Sequence, residues 1–302
     1  MALQLDDKLV IGVSSRALFD LEAENRIYEN EGLDAYAAYQ IEHEKDILRP
    51  GTAFPLVRAL EKLNEDGKHL TEVIIMSKNS ADTSLRIFNS IEHYGLGISR
   101  AALVGGMPIY PYLGTFRTDL FLSANEEDVE EAVNAGFAAG IICENNDLPI
   151  DPDGAVSEIR IAFDGDAVIF SDESERIYQS EGLAAFAEHE RKNAQNPLAE
   201  GPFAKFLKTL SHIQRTFPKG EVPIRTALVT ARNAPSHERV IRTLRAWDVR
   251  IDEVFFLGGI AKSDVLRDFG ANIFFDDQKV HTDPASRVVP SARVPYKKQL
   301  SK

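Results

Sequence analysis

The stretch from Glu158 to Glu175 reads EIRIAFDGDAVIFSDESE, a short apolar run that delivers two aspartates, Asp164 and Asp166, at its carboxyl end. Residues 158–163 alternate and close on Ile161, Ala162 and Phe163, the pattern of a buried strand, and Gly165 permits a tight departure that turns both carboxylates outward. Taken alone, D-G-D reads as an ordinary acidic turn. Two acids so spaced also suit a divalent cation, because one side chain and one backbone carbonyl can bind the ion while the second side chain stays free for proton transfer.

Three further strand ends carry polar groups that favour the second reading. The apolar run 224–229 ends in Thr230, with Arg232 and Asn233 just beyond it. Residues 252–257 end in Gly258 and Gly259, and Lys262 follows. Residues 272–275 end in the pair Asp276 and Asp277. Helical spacing predicts helices over 203–216, 236–247 and 263–269, so strand and helix alternate. That alternation predicts an α/β fold with a parallel sheet, all four polar clusters converging at its carboxyl edge, where open α/β sheets bind ligands.

The ordered set of D-x-D, Thr, Lys and D-D over residues 158–278 resembles the haloacid dehalogenase superfamily of aspartate-nucleophile phosphatases. The words FDGDAVIFSDESE, LVTAR and IFFDDQ are similar to those of the cytosolic 5'-nucleotidase I family, and VSSRALFD and GPFAKFL extend that resemblance over nearly the whole chain. The resemblance implies Mg²⁺-dependent hydrolysis of nucleoside 5'-monophosphates, typically AMP, with IMP and deoxynucleotides as competitors. It implies Asp164 as nucleophile, Asp166 as general acid and base, and Thr230 and Lys262 as stabilisers of the transferring phosphoryl group. It also implies a metal held by Asp164, the backbone carbonyl of Asp166 and either Asp276 or Asp277. Arg232 and Asn233 read as substrate contacts or as caps of the next helix. Residues 171–200 fall where that superfamily inserts a small cap, in which Tyr178 and Phe186 serve either to stack on a base or as core. A sugar phosphatase and a nucleotide-binding sensor with vestigial activity are the alternative functions.

The chain of 302 residues is long enough for two domains, and 44% hydrophobic with 27% charged residues predicts a soluble, globular protein. No apolar run reaches the roughly 20 residues needed to span a bilayer. The start, MALQLDDKLV, is acidic where a signal peptide is basic, so a cytoplasmic address and no membrane partner are expected. One cysteine, Cys143, excludes an intramolecular disulfide and a cysteine-based zinc site. A net charge of -13 argues against nucleic-acid polymers as partners.

The first half repeats the second with its chemistry removed. Arg26-Ile27-Tyr28 and Glu31-Gly32-Leu33 recur as Arg176-Ile177-Tyr178 and Glu181-Gly182-Leu183, and Gly51 as Gly201. Further on, Gly105-Gly106 recurs as Gly258-Gly259 and LFLSAN as IFFDDQ. This spacing predicts an internal duplication of about 150 residues. The expected architecture is two tandem Rossmann-like units, 1–150 and 151–302, each with its own parallel sheet, the second catalytic with a small helical cap and the first a degenerate copy. Ser14 stands for Asp164, Arg16 for Asp166, Ser77 for Thr230, Ile109 for Lys262, and Ser123 and Ala124 for Asp276 and Asp277. The silent half reads either as a scaffold or as the site of a nucleotide effector in a cationic pocket of Ser14, Arg16, Ser77 and Lys78; assembly into a homo-oligomer stays open. Residues 144–157, rich in Asn, Asp, Pro and Gly, read as the linker, and the proline-bearing tail after Gln278 reads as extended chain on the surface.

Overall fold

A computed structural model describes residue 5 and residues 8–144, 148–154, 156–218 and 220–295. Residues 145–147 and 155 of the expected linker, and the tail from 296 on, lie outside the described residues. The strands are β1 Leu9–Val13, β2 Thr71–Ser77, β3 Arg100–Leu103, β4 Leu120–Ser123, β5 Ala139–Ile142, β6 Ile159–Phe163, β7 Ile224–Thr230, β8 Glu253–Phe256, β9 Ile273–Asp276 and β10 Ser291–Arg293. Among the described residues helices separate successive strands, as the alternation predicts, except between β5 and β6. β1, β2, β4 and β9 are buried at every residue, as strands of a parallel sheet covered on both faces must be, whereas β3 and β8 at its ends are half-exposed.

The duplication is visible strand by strand. Val13 pairs with Ile75 and Leu122 in the first half, as Phe163 pairs with Leu228 and Phe275 in the second. Gly51 and Gly201 recur for a steric reason: a Cβ on Gly51 would lie 2.8 Å from the Phe19 carbonyl carbon, and one on Gly201 would lie 2.3 Å from the Phe170 carbonyl oxygen.

Two expectations change. Over its described residues, 279–295, the tail does not wrap the surface as extended chain. It forms a helix, Lys279–Ser286, and then β10, whose Ala292 is fully buried. Pro290 and Pro295 flank this short strand without interrupting it, so they deny it no ladder hydrogen bond. β10 lies parallel to β9 and antiparallel to β5, which joins the two expected sheets into one of ten strands, in the order β3-β2-β1-β4-β5-β10-β9-β6-β7-β8. The strands of the second half therefore run opposite to those of the first, and the carboxyl edges of the two halves face opposite ends of the sheet. On one face of the sheet a single apolar core runs through both halves, from Leu9 to Val294; on the other face each half has its own.

Candidate active site

β6 ends at Phe163, and the chain then makes one wide turn in which Phe170 N donates to Gly165 O at 2.9 Å. The matching turn of the first half is a residue tighter, Phe19 N donating to Ser15 O. Phe19 bridges Pro50 as Phe170 bridges Glu200, so the second half has one extra residue here. Asp166 and Ala167 together fill the place of Arg16, and Ala167 takes up the surplus at φ +60°, a conformation that costs an alanine about 1 kcal/mol. Such wide turns arise from single insertions and recur at functional sites.

Asp164, at the end of β6, is buried beside Asp276 and Asp277 at the end of β9. One carboxylate oxygen from each lies within 4.8 Å of the others. Lys262, at the first turn of the helix Lys262–Phe269, donates to Asp164 Oδ1 at 2.7 Å and to Asp276 Oδ2 at 2.6 Å. Burial pushes the Asp164 carboxyl up to about 6; Lys262 opposes that shift, and the Asp276 and Asp166 charges add to it. Burial likewise raises Asp276. Burial pulls the Lys262 ammonium down, yet the two aspartates hold it above the usual lysine range. Three converging carboxylates, with no histidine or cysteine grouped with them among the described residues, make an oxygen-only donor set, which favours Mg²⁺ over Zn²⁺.

The Asp166 carboxylate is not one of that trio. Its two oxygens accept from Arg232 Nε at 2.8 Å and Nη2 at 2.6 Å, a bidentate pair. Thr230 ends β7, buried, and its Oγ1 accepts from Arg232 N at 3.2 Å. Asn233 is exposed, and its carbonyl accepts from Ser236 N at 2.9 Å and from Ser236 Oγ at 2.6 Å ahead of the next helix.

The segment 171–200 contains a helix, Glu173–Lys192, broken at Gly182 with φ +81°. The first half has the same shape in Glu22–Glu31 and Leu33–Glu42, hinged at Gly32. Tyr178 is half-exposed and packs edge-on against Phe186 at 6.3 Å between centroids. Phe186 carries the Arg232 guanidinium over its ring at 5.3 Å.

Two glutamates of this segment escaped the sequence reading. Glu190 is buried and accepts from Arg232 Nη1 at 2.5 Å, Arg239 Nη1 at 2.9 Å and Ser174 Oγ at 2.8 Å. Burial pushes its carboxyl up, but Arg232, Ser174 and Arg239 together hold it below the usual range. Glu175 accepts from Gln278 Nε2 at 3.4 Å, and burial followed by the Asp166 and Asp164 charges raises its carboxyl. The duplication held the signal: Glu190 stands where the first half has Gln40, and Glu175 where it has Asn25.

The first half does not build the expected cationic pocket. Ser14 caps Ala17, Ser77 bonds Ser15, Lys78 turns to Asp128 at 2.6 Å, and Arg16 pairs with Glu22 at 2.7 Å. A cavity of about 570 Å³ does lie there, lined by Arg16, Arg49, Asp20, Glu22, Glu144 and Thr52 among others, with charges of both signs.

A family profile described as 5'-nucleotidase matches residues 1–301. The chain is 40% identical over 305 residues to cytosolic 5'-nucleotidase 1B of Homo sapiens, an alignment covering 97% of this chain and 50% of that protein. It thus spans about half the length of that relative. No solved structure gives a significant match. Among the described residues no helix is long and apolar enough to cross a membrane.

Proposed function

Because the chain belongs to the 5'-nucleotidase family, we propose that its second half hydrolyses nucleoside 5'-monophosphates, AMP foremost, to nucleoside and phosphate in the cytoplasm. The observation that carries this reading is the trio Asp164, Asp276 and Asp277 with Lys262 bonded to two of its members. Asp164 is the nucleophile: its carboxylate oxygen attacks phosphorus and forms an aspartyl-phosphate as the bond to the 5'-oxygen breaks. Asp166 gives its proton to that departing oxygen and then takes one from the water that hydrolyses the acyl phosphate. Thr230 and Lys262 donate to the equatorial oxygens as charge moves onto them. Asp164, Asp276, Asp277 and the Asp166 carbonyl would hold Mg²⁺, which when bound offsets the repulsion between these carboxylates and a phosphate dianion. Arg232, held between Asp166 and Glu190, supports the general acid in this scheme, and Asn233, exposed just beyond it, is a substrate contact.

The test is phosphate release from a panel of nucleoside and sugar monophosphates, with and without Mg²⁺. Release from AMP only with Mg²⁺ supports the reading. Preference for a sugar phosphate replaces the substrate class, and no release from any ester sinks the enzyme. The effector reading of the first half rests on the cavity beside Arg16. It is tested by titrating ADP, ATP and GTP against AMP hydrolysis in wild type and Arg16→Ala; sedimentation of the same samples reads the oligomeric state.

A further inference from the structure

Glu190 sits at the end of the cap segment and reaches no reacting atom, yet it is the hub of a buried chain of ion pairs. Its carboxylate accepts from Arg232, whose other two nitrogens hold both oxygens of Asp166, and from Arg239 on the helix His237–Ala246. Arg232 and Arg239 are both buried, with side chains 2% and 4% exposed, so each needs carboxylate partners; besides Glu190, Arg232 has Asp166 and Arg239 has the more distant, half-exposed Glu173 at 3.6 Å.

The silent half shows what this network would be if it served the fold alone. There Arg86, in the place of Arg239, also anchors the cap, donating to the Asp46 carbonyl as Arg239 donates to that of Asn196. Its carboxylate partner is Glu24, at 2.6 Å, in the place of Ser174. Gln40 replaces Glu190 and Asn79 replaces Arg232. Anchoring the cap thus requires one carboxylate, and either helix of the cap can supply it. Only in the half with Asp166 does that carboxylate stand where it can also grip a second arginine.

We infer that Glu190 is a positioning residue for the reaction: by fixing Arg232 it fixes the Asp166 carboxyl toward the leaving oxygen, and by sharing Arg239 it ties that orientation to the seating of the cap. The inference rests on the proposed function, since it assigns Asp166 the general-acid role. Displacements of about 1 Å in such a group cost up to about a hundredfold in rate.

The experiment compares Glu190→Gln with the double variant Ser174→Glu/Glu190→Gln, which returns to Arg239 a carboxylate from the cap as the silent half does and leaves Arg232 with Asp166 as its carboxylate partner but none from the cap. Glu190→Gln is expected to lower kcat on AMP roughly tenfold or more, to shift KM less than about threefold, and to affect a nitrophenyl phosphate less, because that leaving group needs no proton. The double variant is expected to regain thermal stability while kcat on AMP stays low. Wild-type kcat in the stable double variant, or equal losses on both esters, overturns the inference. Hydrogen exchange of the amides in 165–170 is read in parallel and is expected to quicken in both variants. If wild type cleaves no nucleoside monophosphate the proposed function fails, and the exchange data still judge the tether, with unchanged exchange overturning it.

Discussion

Lys262 Nζ lies 2.7 Å from Asp164 Oδ1, with both side chains buried, so a counter-charge for Asp164 is built into the folded protein. Removing Lys262 takes from Asp164 and Asp276 the buried cation they share. Lys262→Met is expected to abolish phosphate release and to lower stability by about 3–5 kcal/mol. Chemical denaturation beside a turnover assay checks both, and a Lys262→Met enzyme with wild-type turnover would dismiss the lysine from the site.

Asp164→Asn keeps the shape and removes the attacking oxygen's charge, so turnover should fall to background while the protein stays folded. A folded variant with substantial activity would take the nucleophile role from Asp164.

The Asp164 carboxyl, pushed up to about 6 by burial, makes stability depend on pH. Between about pH 4 and about pH 6 the folded, metal-free protein binds a proton at Asp164 that the unfolded chain has released, so this contribution to stability falls as pH rises through that window. Where the carboxylates are ionised, Asp164, Asp276 and Asp277 would hold Mg²⁺, whose charge would offset their mutual repulsion. Its effect on the melting temperature should be larger at about pH 7.5 than at about pH 5, and Asp164→Asn should flatten the difference. An equal gain at both pH values counts against a metal at this trio.

Chelation by EDTA should stop hydrolysis and added Mg²⁺ should restore it. Asp276→Ala with Asp277→Ala should raise the Mg²⁺ requirement or end activity, since two of the three carboxylates are then gone. Full activity of the chelated enzyme would end the mechanism.

Gly140 of β5 faces Ala292 of β10 where the two halves join, and a Cβ there would lie 3.0 Å from the Ala292 Cβ and 3.3 Å from the Phe275 ring. Gly140→Val is expected to cost about 1–3 kcal/mol by overpacking, read by urea denaturation. A neutral result would mean that the seam accommodates bulk.

The sequence by itself determined what is local or repeated. Apolar runs ending in Asp164, Thr230 and Asp276 set the strands and the edge at which their polar groups meet, because strand periodicity and the turn after it are written in neighbouring residues. The repeat exposed which half had lost its carboxylates. Tertiary structure decided what depends on partners distant in the chain. Arg232 read as a substrate contact or a cap, and its buried pairing with Asp166 and Glu190 emerges only when the cap folds back over β7, since a charge's partner is set by proximity in space. The tail read as surface because of its three prolines, of which Pro284 sits inside a helix of eight residues while Pro290 and Pro295 bracket a strand of three, elements too short for periodicity to register. Its pairing between β5 and β9 is fixed by the open edges those strands offer, and that antiparallel seam turns the two halves' carboxyl edges to opposite ends of one sheet.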